Sequence, residues 1–266
     1  MLTATELTFR AGHRALIDGV SASFEPGRLH LILGPNGAGK STLIRLLARL
    51  LRSAEGAVLY DGHDAEHWHE RELARRRAVL SQAVEVAFSM PVRELVLMGR
   101  YPHFGARPGA DDLKICDEVM RFFDVSAMAD RSYGTLSGGE CQRVQFARVL
   151  AQIWRPIEGA TRHLFLDEPL TFLDIRHQID FMGKVRSFAS QKDVCVVGVV
   201  HDLNLAVQFA DRLLLLDHGR VLADGSPAEV LTEENLRTAF AVTPVMLTNP
   251  ATSKSHLVFE SSSELR

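Results

Sequence analysis

The chain has 266 residues, 46% of them hydrophobic, a formal net charge of −3 and a pI near 6.4. Such a chain can bury a large core in one α/β domain with inserted subdomains, and it offers no positive field for a polyanion, which excludes nucleic acid as an expected partner. Three scattered cysteines (Cys116, Cys141, Cys195) form no C-x-x-C pair and indicate neither disulfides nor zinc. Met1 to Phe9 alternates polar and apolar residues like a strand, without the basic start and apolar core of a secretion signal. Residues to about 30, with Gly56 to Tyr60, read as short alternating strands of an antiparallel layer.

The apolar run Leu29 to Leu33 leads into Gly34-Pro35-Asn36-Gly37-Ala38-Gly39-Lys40-Ser41-Thr42, and Thr42 to Leu47 leaves with helical spacing. This is the phosphate-binding loop G-x-x-x-x-G-K-[ST] in its strand–loop–helix setting. Its glycines let successive backbone N–H groups turn inward onto phosphate oxygens, and the following helix adds its N-terminal dipole. Lys40 is expected to reach the β- and γ-phosphates and the Ser41 hydroxyl to ligate Mg²⁺. The chain is therefore expected to bind a nucleoside triphosphate.

Further along, His63, His67 and His69 lie in a polar insert and read as an exposed loop, and Arg71, Arg75, Arg76 and Arg77 as a solvated helix face. Ala78-Val79-Leu80 is a strand candidate that ends just before Gln82, and Asp111 to Phe123 is helix-forming. Leu136-Ser137-Gly138-Gly139-Glu140 opens a helix in which Ser137 can cap the first turn, while Gly138 and Gly139 let a phosphate approach the free N–H groups. His163 to Pro169 is an apolar strand ending in two acids. Those acids are Asp167 and Glu168, and two carboxylates at a buried strand end are costly without a cation or hydrogen bonds, which argues against a purely structural pair. Strands also read at Val194 to Val200 and at Leu213, Asp217-His218-Gly219-Arg220 is a turn, and a short tail follows from Ala241. The longest apolar runs are strand-sized, far short of the roughly 20 residues that span a bilayer. Membrane association is expected to come through a partner.

The phosphate loop followed by Leu136 to Glu140 resembles the ATP-binding cassette (ABC) family, in which Cys141 stands where glutamine is usual. The resemblance implies a P-loop cassette with a parallel-sheet core, an antiparallel β layer and an inserted α-helical subdomain. The domain would span 2–240, the helical insert about 83–150, and 241–266 would form a tail. It implies ATP and Mg²⁺ as the bound species. Asp167 would hold Mg²⁺ and Glu168 would polarise the attacking water as general base, while Gln82 would contact Mg²⁺ and water, His201 the γ-phosphate, and Asp174 would be the acid of the loop after the paired carboxylates. That loop departs from the family in Phe172, where a small residue is usual. Ala11 stands near the expected adenine-stacking aromatic, leaving Arg10 or His13 as candidates, with Phe9 pointing into a sheet.

In the family two cassettes pack head to tail, so Ser137, Gly138 and Gly139 would serve ATP held by a second copy of the chain. Val92 to His103 resembles importers of iron-siderophore, haem and cobalamin. Gln145 to Trp154, Asp174 to Gln178 and Val200 to Ala206 resemble the haemin-import ATPases, as does the long spacer Arg155 to Arg162. The resemblance implies an ATPase on the cytoplasmic face of a bacterial inner membrane, working with two transmembrane permease subunits and, indirectly, a periplasmic haem-binding protein. A ferric-siderophore or cobalamin importer is the close alternative. A soluble ABC ATPase such as an iron–sulfur assembly factor is the contrasting class.

Overall fold

Two long strands open the chain, β1 (Leu2–Ala11) and β2 (Arg14–Phe24), paired antiparallel. The computed structural model describes residues 1–81, 89–171, 173–248 and 255–259. After β3 (Arg28–Leu33) and α1 (Lys40–Leu47) come β4 (Glu55–Tyr60) and β5 (His63–Asp64). Together with β1 and β2 these last two complete an antiparallel layer in the order β2-β1-β4-β5. The second sheet takes β6 (Arg77–Leu80), which follows α2 (Glu70–Arg76), then β7 (Arg162–Asp167), β8 (Val194–Val199), β9 (Arg212–Asp217) and β10 (Arg220–Gly225). Its order is β10-β9-β3-β8-β7-β6, with β9, β3, β8, β7 and β6 parallel and β10 folded back antiparallel through the His218–Gly219 turn.

The strands β7 and β8 are buried at every position, as a sheet covered on both faces requires; β8 is a continuous apolar run, whereas β7 also buries Arg162, His163 and Asp167 around Leu164 to Leu166. One apolar cluster lies between this sheet and α1, α2 and the antiparallel layer, the other between the sheet and the remaining helices. Between β6 and β7 the chain forms α3 (Val92–Met98), α4 (Ala110–Phe122) and α5 (Gly138–Gln152). These helices are joined to the core by Phe146 on α5, stacked at 3.7 Å between ring centroids on Phe181 of α6 (Ile175–Ala189). Burial of such a ring stabilises by about 1.5–3 kcal/mol. Gly99 sits so close under α5 that a Cβ there would stand 2.0 Å from the Arg148 carbonyl oxygen, so the α3–α5 approach demands glycine.

The chain ends in α7 (Leu203–Phe209), α8 (Pro227–Val230), α9 (Glu233–Phe240) and a hairpin of β11 (Pro244–Thr248) and β12 (Ser255–Phe259). The Asn204 side chain clasps the hairpin by donating to the Leu257 carbonyl (3.0 Å) and accepting from the Leu257 N–H (2.8 Å). Leu257 is buried in the main core.

The arginine run is not a solvated face. Arg77 is 5% exposed and donates to Glu70. Arg71 and Arg75 donate to the carbonyls of Pro102 and Phe104, and Arg76 lies 4.3 Å over the Trp68 ring. Loop carbonyls and a neighbouring ring take up charges that the sequence leaves without partners. His63, His67 and His69 are exposed, and His69 caps α2 through its ring nitrogen.

Candidate active site

Three adjacent strands of one sheet, β3, β8 and β7, end at the same edge, and the motif residues follow their ends. Gly34 succeeds β3, Asp167 closes β7, Glu168 comes next, and His201 stands two residues beyond β8. Parallel register sets Asp167 opposite Val199, which brings the two following loops together. His201 Nε2 and Glu168 Oε1 lie 2.9 Å apart. Ligands in open parallel sheets bind in the crevice beyond such strand ends.

The phosphate loop is shaped by two glycines that no other residue can replace. Gly34 has φ 148° and Gly39 φ 100°, and a Cβ on either would fall 2.3 Å from the Leu216 carbonyl or 2.4 Å from that of Leu16. Ala38 is buried, and its carbonyl accepts from Gly219 N–H in the β9–β10 turn (3.0 Å), tying the loop to the sheet. The loop borders a cleft of ≈ 200 Å³ lined by Leu16, Asn36, Gly37, Lys40, Ser41, Thr42 and Glu168. Pro35 and Asn36 also border a neighbouring opening of ≈ 420 Å³ whose other wall is His201 and the segment from Thr238 to Ala241. Nothing in the sequence of that segment signals the cleft.

Lys40 is 5% exposed, and its ammonium donates to the Gly34 and Pro35 carbonyls at 2.8 and 3.0 Å. Burial pulls its pKa down, opposed by the carboxylates of Glu168 and Asp167. Asp167 is 3% exposed and its Oδ1 has no hydrogen-bond partner among the described residues. Burial raises the Asp167 pKa, with the Ser41 hydroxyl, Arg45 and Lys40 working against that rise. A desolvated carboxylate with one oxygen left without a partner, beside a hydroxyl, is the donor set a hard divalent cation takes. Glu168 adopts φ 51°, a strained value for a non-glycine residue that turns its carboxylate from the strand end toward His201.

Ser137 caps α5 in a reciprocal box. Its N–H donates to Glu140 Oε2 (2.8 Å), and its hydroxyl accepts from the Glu140 N–H (3.4 Å). Ser137 and Gly138 are exposed, Gly139 is half-buried, and none of the three lines the phosphate-loop cleft of its own chain. Gln142 on the same helix donates to the Pro169 carbonyl (2.9 Å), linking α5 to the loop after Glu168. Asp174 caps α6, accepting from the His177 N–H (2.9 Å), and those bonds hold its carboxyl below the usual range. Gln82, two residues past the end of β6, and Phe172 lie outside the described residues.

A phosphate-binding loop, a strand-end pair of acids and a histidine on neighbouring parallel strands define a P-loop nucleoside triphosphatase. The match with known proteins narrows that class. Residues 17–171 fit the family model described as ABC transporter. The chain is 45% identical to the hemin import ATP-binding protein HmuV of Gloeobacter violaceus (94% of this chain, 90% of the relative). It is 44% identical to the protein of the same name from Bordetella avium (97% and 98%). Among solved structures, the dimeric bacterial ABC transporter cassette MJ0796 superposes with a TM-score of 0.73 at 25% identity (85% and 99%). The chain belongs to the ABC transporter family, and it is an ATP-hydrolysing cassette of that family. Among the described residues no helix is long and apolar enough to cross a membrane.

Proposed function

We propose that this chain is the ATP-hydrolysing subunit of a bacterial haemin importer, peripheral on the cytoplasmic face of the inner membrane. The chemical half of the reading is carried by the 2.9 Å Glu168–His201 pair standing beyond the strand ends across from Lys40. The haemin half is supported by the two relatives at 45% and 44% identity over nearly the whole chain.

In this reading the backbone N–H groups from Gly34 to Thr42 cradle the phosphates, and Lys40 exchanges its carbonyl bonds for β- and γ-phosphate oxygens. Glu168 takes the proton of a water as the water oxygen attacks the γ-phosphorus and the bond to the ADP oxygen breaks. His201 steadies Glu168 and donates to the γ-phosphate. Ser41 and Asp167 would hold Mg²⁺, with Gln82 as a further ligand. When bound, the ion neutralises charge on the β- and γ-oxygens.

The exposed N-terminus of α5, with Ser137, Gly138 and Gly139, serves the ATP of a second copy packed head to tail, and Asp174 lies at that junction. Each site is thus completed only on closure, which drives two transmembrane permease subunits loaded by a periplasmic haem-binding protein.

The test is reconstitution in proteoliposomes with the two permease subunits. ATPase activity and haem uptake are expected to rise with the haem-loaded binding protein. Stimulation by a ferric-siderophore or cobalamin system instead would overturn the substrate while keeping the importer.

A further inference from the structure

The mouth of the phosphate loop carries a cation that the mechanism above leaves unused. Arg14 opens β2 straight after the Gly12–His13 turn and is exposed. One of its terminal guanidinium nitrogens lies 3.9 Å from the point where a Cβ on Gly37 would stand. Two residues further on, Leu16 forms part of the cleft wall. Across the hairpin Arg14 pairs with Ala11, whose single methyl cannot cover a guanidinium. Among the described residues Arg14 has no ion-pair partner, whereas Arg220 on β10 is matched by Asp18 and Arg28 by Glu25.

The charges already inside the cleft make a further cation useful. Lys40 faces both Asp167 and Glu168, and Arg45 is the other cation acting on Asp167. Of the side chains that line the cleft, Lys40 is a cation and Glu168 a carboxylate, so they bring no net positive charge of their own to a triphosphate. A guanidinium at the rim supplies one, and its fork of N–H donors matches the oxygens of a phosphate. Gly37 is one of the residues whose N–H groups turn onto the phosphates, so a side chain resting against it needs only a rotamer change to reach them.

We propose that Arg14 binds the phosphate chain of the nucleotide as a second cation beside Lys40. The assignment rests on the nucleotide-site reading above and goes beyond it by adding a residue from the antiparallel layer.

The experiment compares the full-length chain with R14Q, R14K and R14F by displacement of a fluorescent nucleotide, using MgATP and inorganic tripolyphosphate as competitors. R14Q and R14F are expected to weaken both competitors by about five- to ten-fold, the scale of a solvent-exposed charge-assisted contact. R14K should stay within about three-fold, and the deficits should shrink as salt is raised. Wild-type affinity in R14Q would overturn the proposal. So would a phenylalanine variant that keeps MgATP affinity while the lysine variant loses it, because that pattern belongs to stacking on the base. K40A is run in parallel. If it too binds MgATP normally, the nucleotide site lies elsewhere, and it is that reading which fails, before Arg14 is judged.

Discussion

Glu168 carries its strained backbone because the carboxylate must leave the strand end sideways to meet His201. Replacing it with glutamine keeps the shape and removes the base. E168Q is expected to retain MgATP affinity while its single-turnover hydrolysis falls by about 10²-fold or more. Hydrolysis at the wild-type rate would remove Glu168 from the chemistry. His163, at the other end of the same strand, has a purely structural consequence. Both its ring nitrogens are buried without hydrogen-bond partners among the described residues, it stands 4.6 Å edge-on to Tyr60, and burial pushes its pKa down to about 3 from 6.5. The unfolded chain therefore takes up a proton near pH 6.5 that the folded chain refuses. Stability from this residue is complete above that pH and drains away as the pH falls toward 3. Between pH 7 and 5 the loss is about 1–2 kcal/mol. In urea titrations at those two pH values, H163F should lose less stability than the wild type by that amount. Equal losses would mean that the ring is protonated in the folded protein.

At the level of elements, α5 has its N-terminus exposed and its body locked against α3, α4 and Phe181. Ser137 caps that end, so two substitutions separate structure from function. S137A should cost little beyond local fraying of the first turn. S137R should leave nucleotide affinity intact and abolish turnover, because a bulky cation there obstructs the closing of a second cassette. Parallel losses of binding and turnover would put Ser137 in its own chain's pocket. The motif elements were legible because each is contiguous: an apolar run, a glycine loop, a periodic helix. The antiparallel layer, the parallel strands at Leu164, Val194 and Leu213, and the turn before Arg220 follow from the same local patterns. What local pattern could not show is pairing at a distance. Arg77 is charged in composition and buried in fact, because its partner Glu70 opens the preceding helix. Arg162 is fully buried because Asp193, 31 residues on, receives its guanidinium. The tail reads as a small appendage until Asn204 is seen to clasp it.

Across the whole molecule, the strand that feeds the phosphate loop is flanked only by later chain. The hydrogen-bonded neighbours of β3 are β8 and β9, which run from residue 194 to 217. A fragment ending at residue 171 keeps the phosphate loop, Ser137 and Glu168 and still contains the whole family match. It is nevertheless expected to be cut readily by protease and to bind no MgATP, whereas the complete chain resists and binds. A fragment that binds as tightly as the full chain would show that β3 needs neither neighbour. The same topology sets the order of events on the ribosome. Synthesis at roughly 5–20 residues per second leaves many seconds between the emergence of Lys40 and that of β9. Through that interval the nascent chain displays an apolar strand with both edges open, a natural target for a chaperone. An ATP site is therefore not expected to form on a stalled or truncated product, and premature termination should yield a client for proteolysis instead of an idle nucleotide-binding fragment.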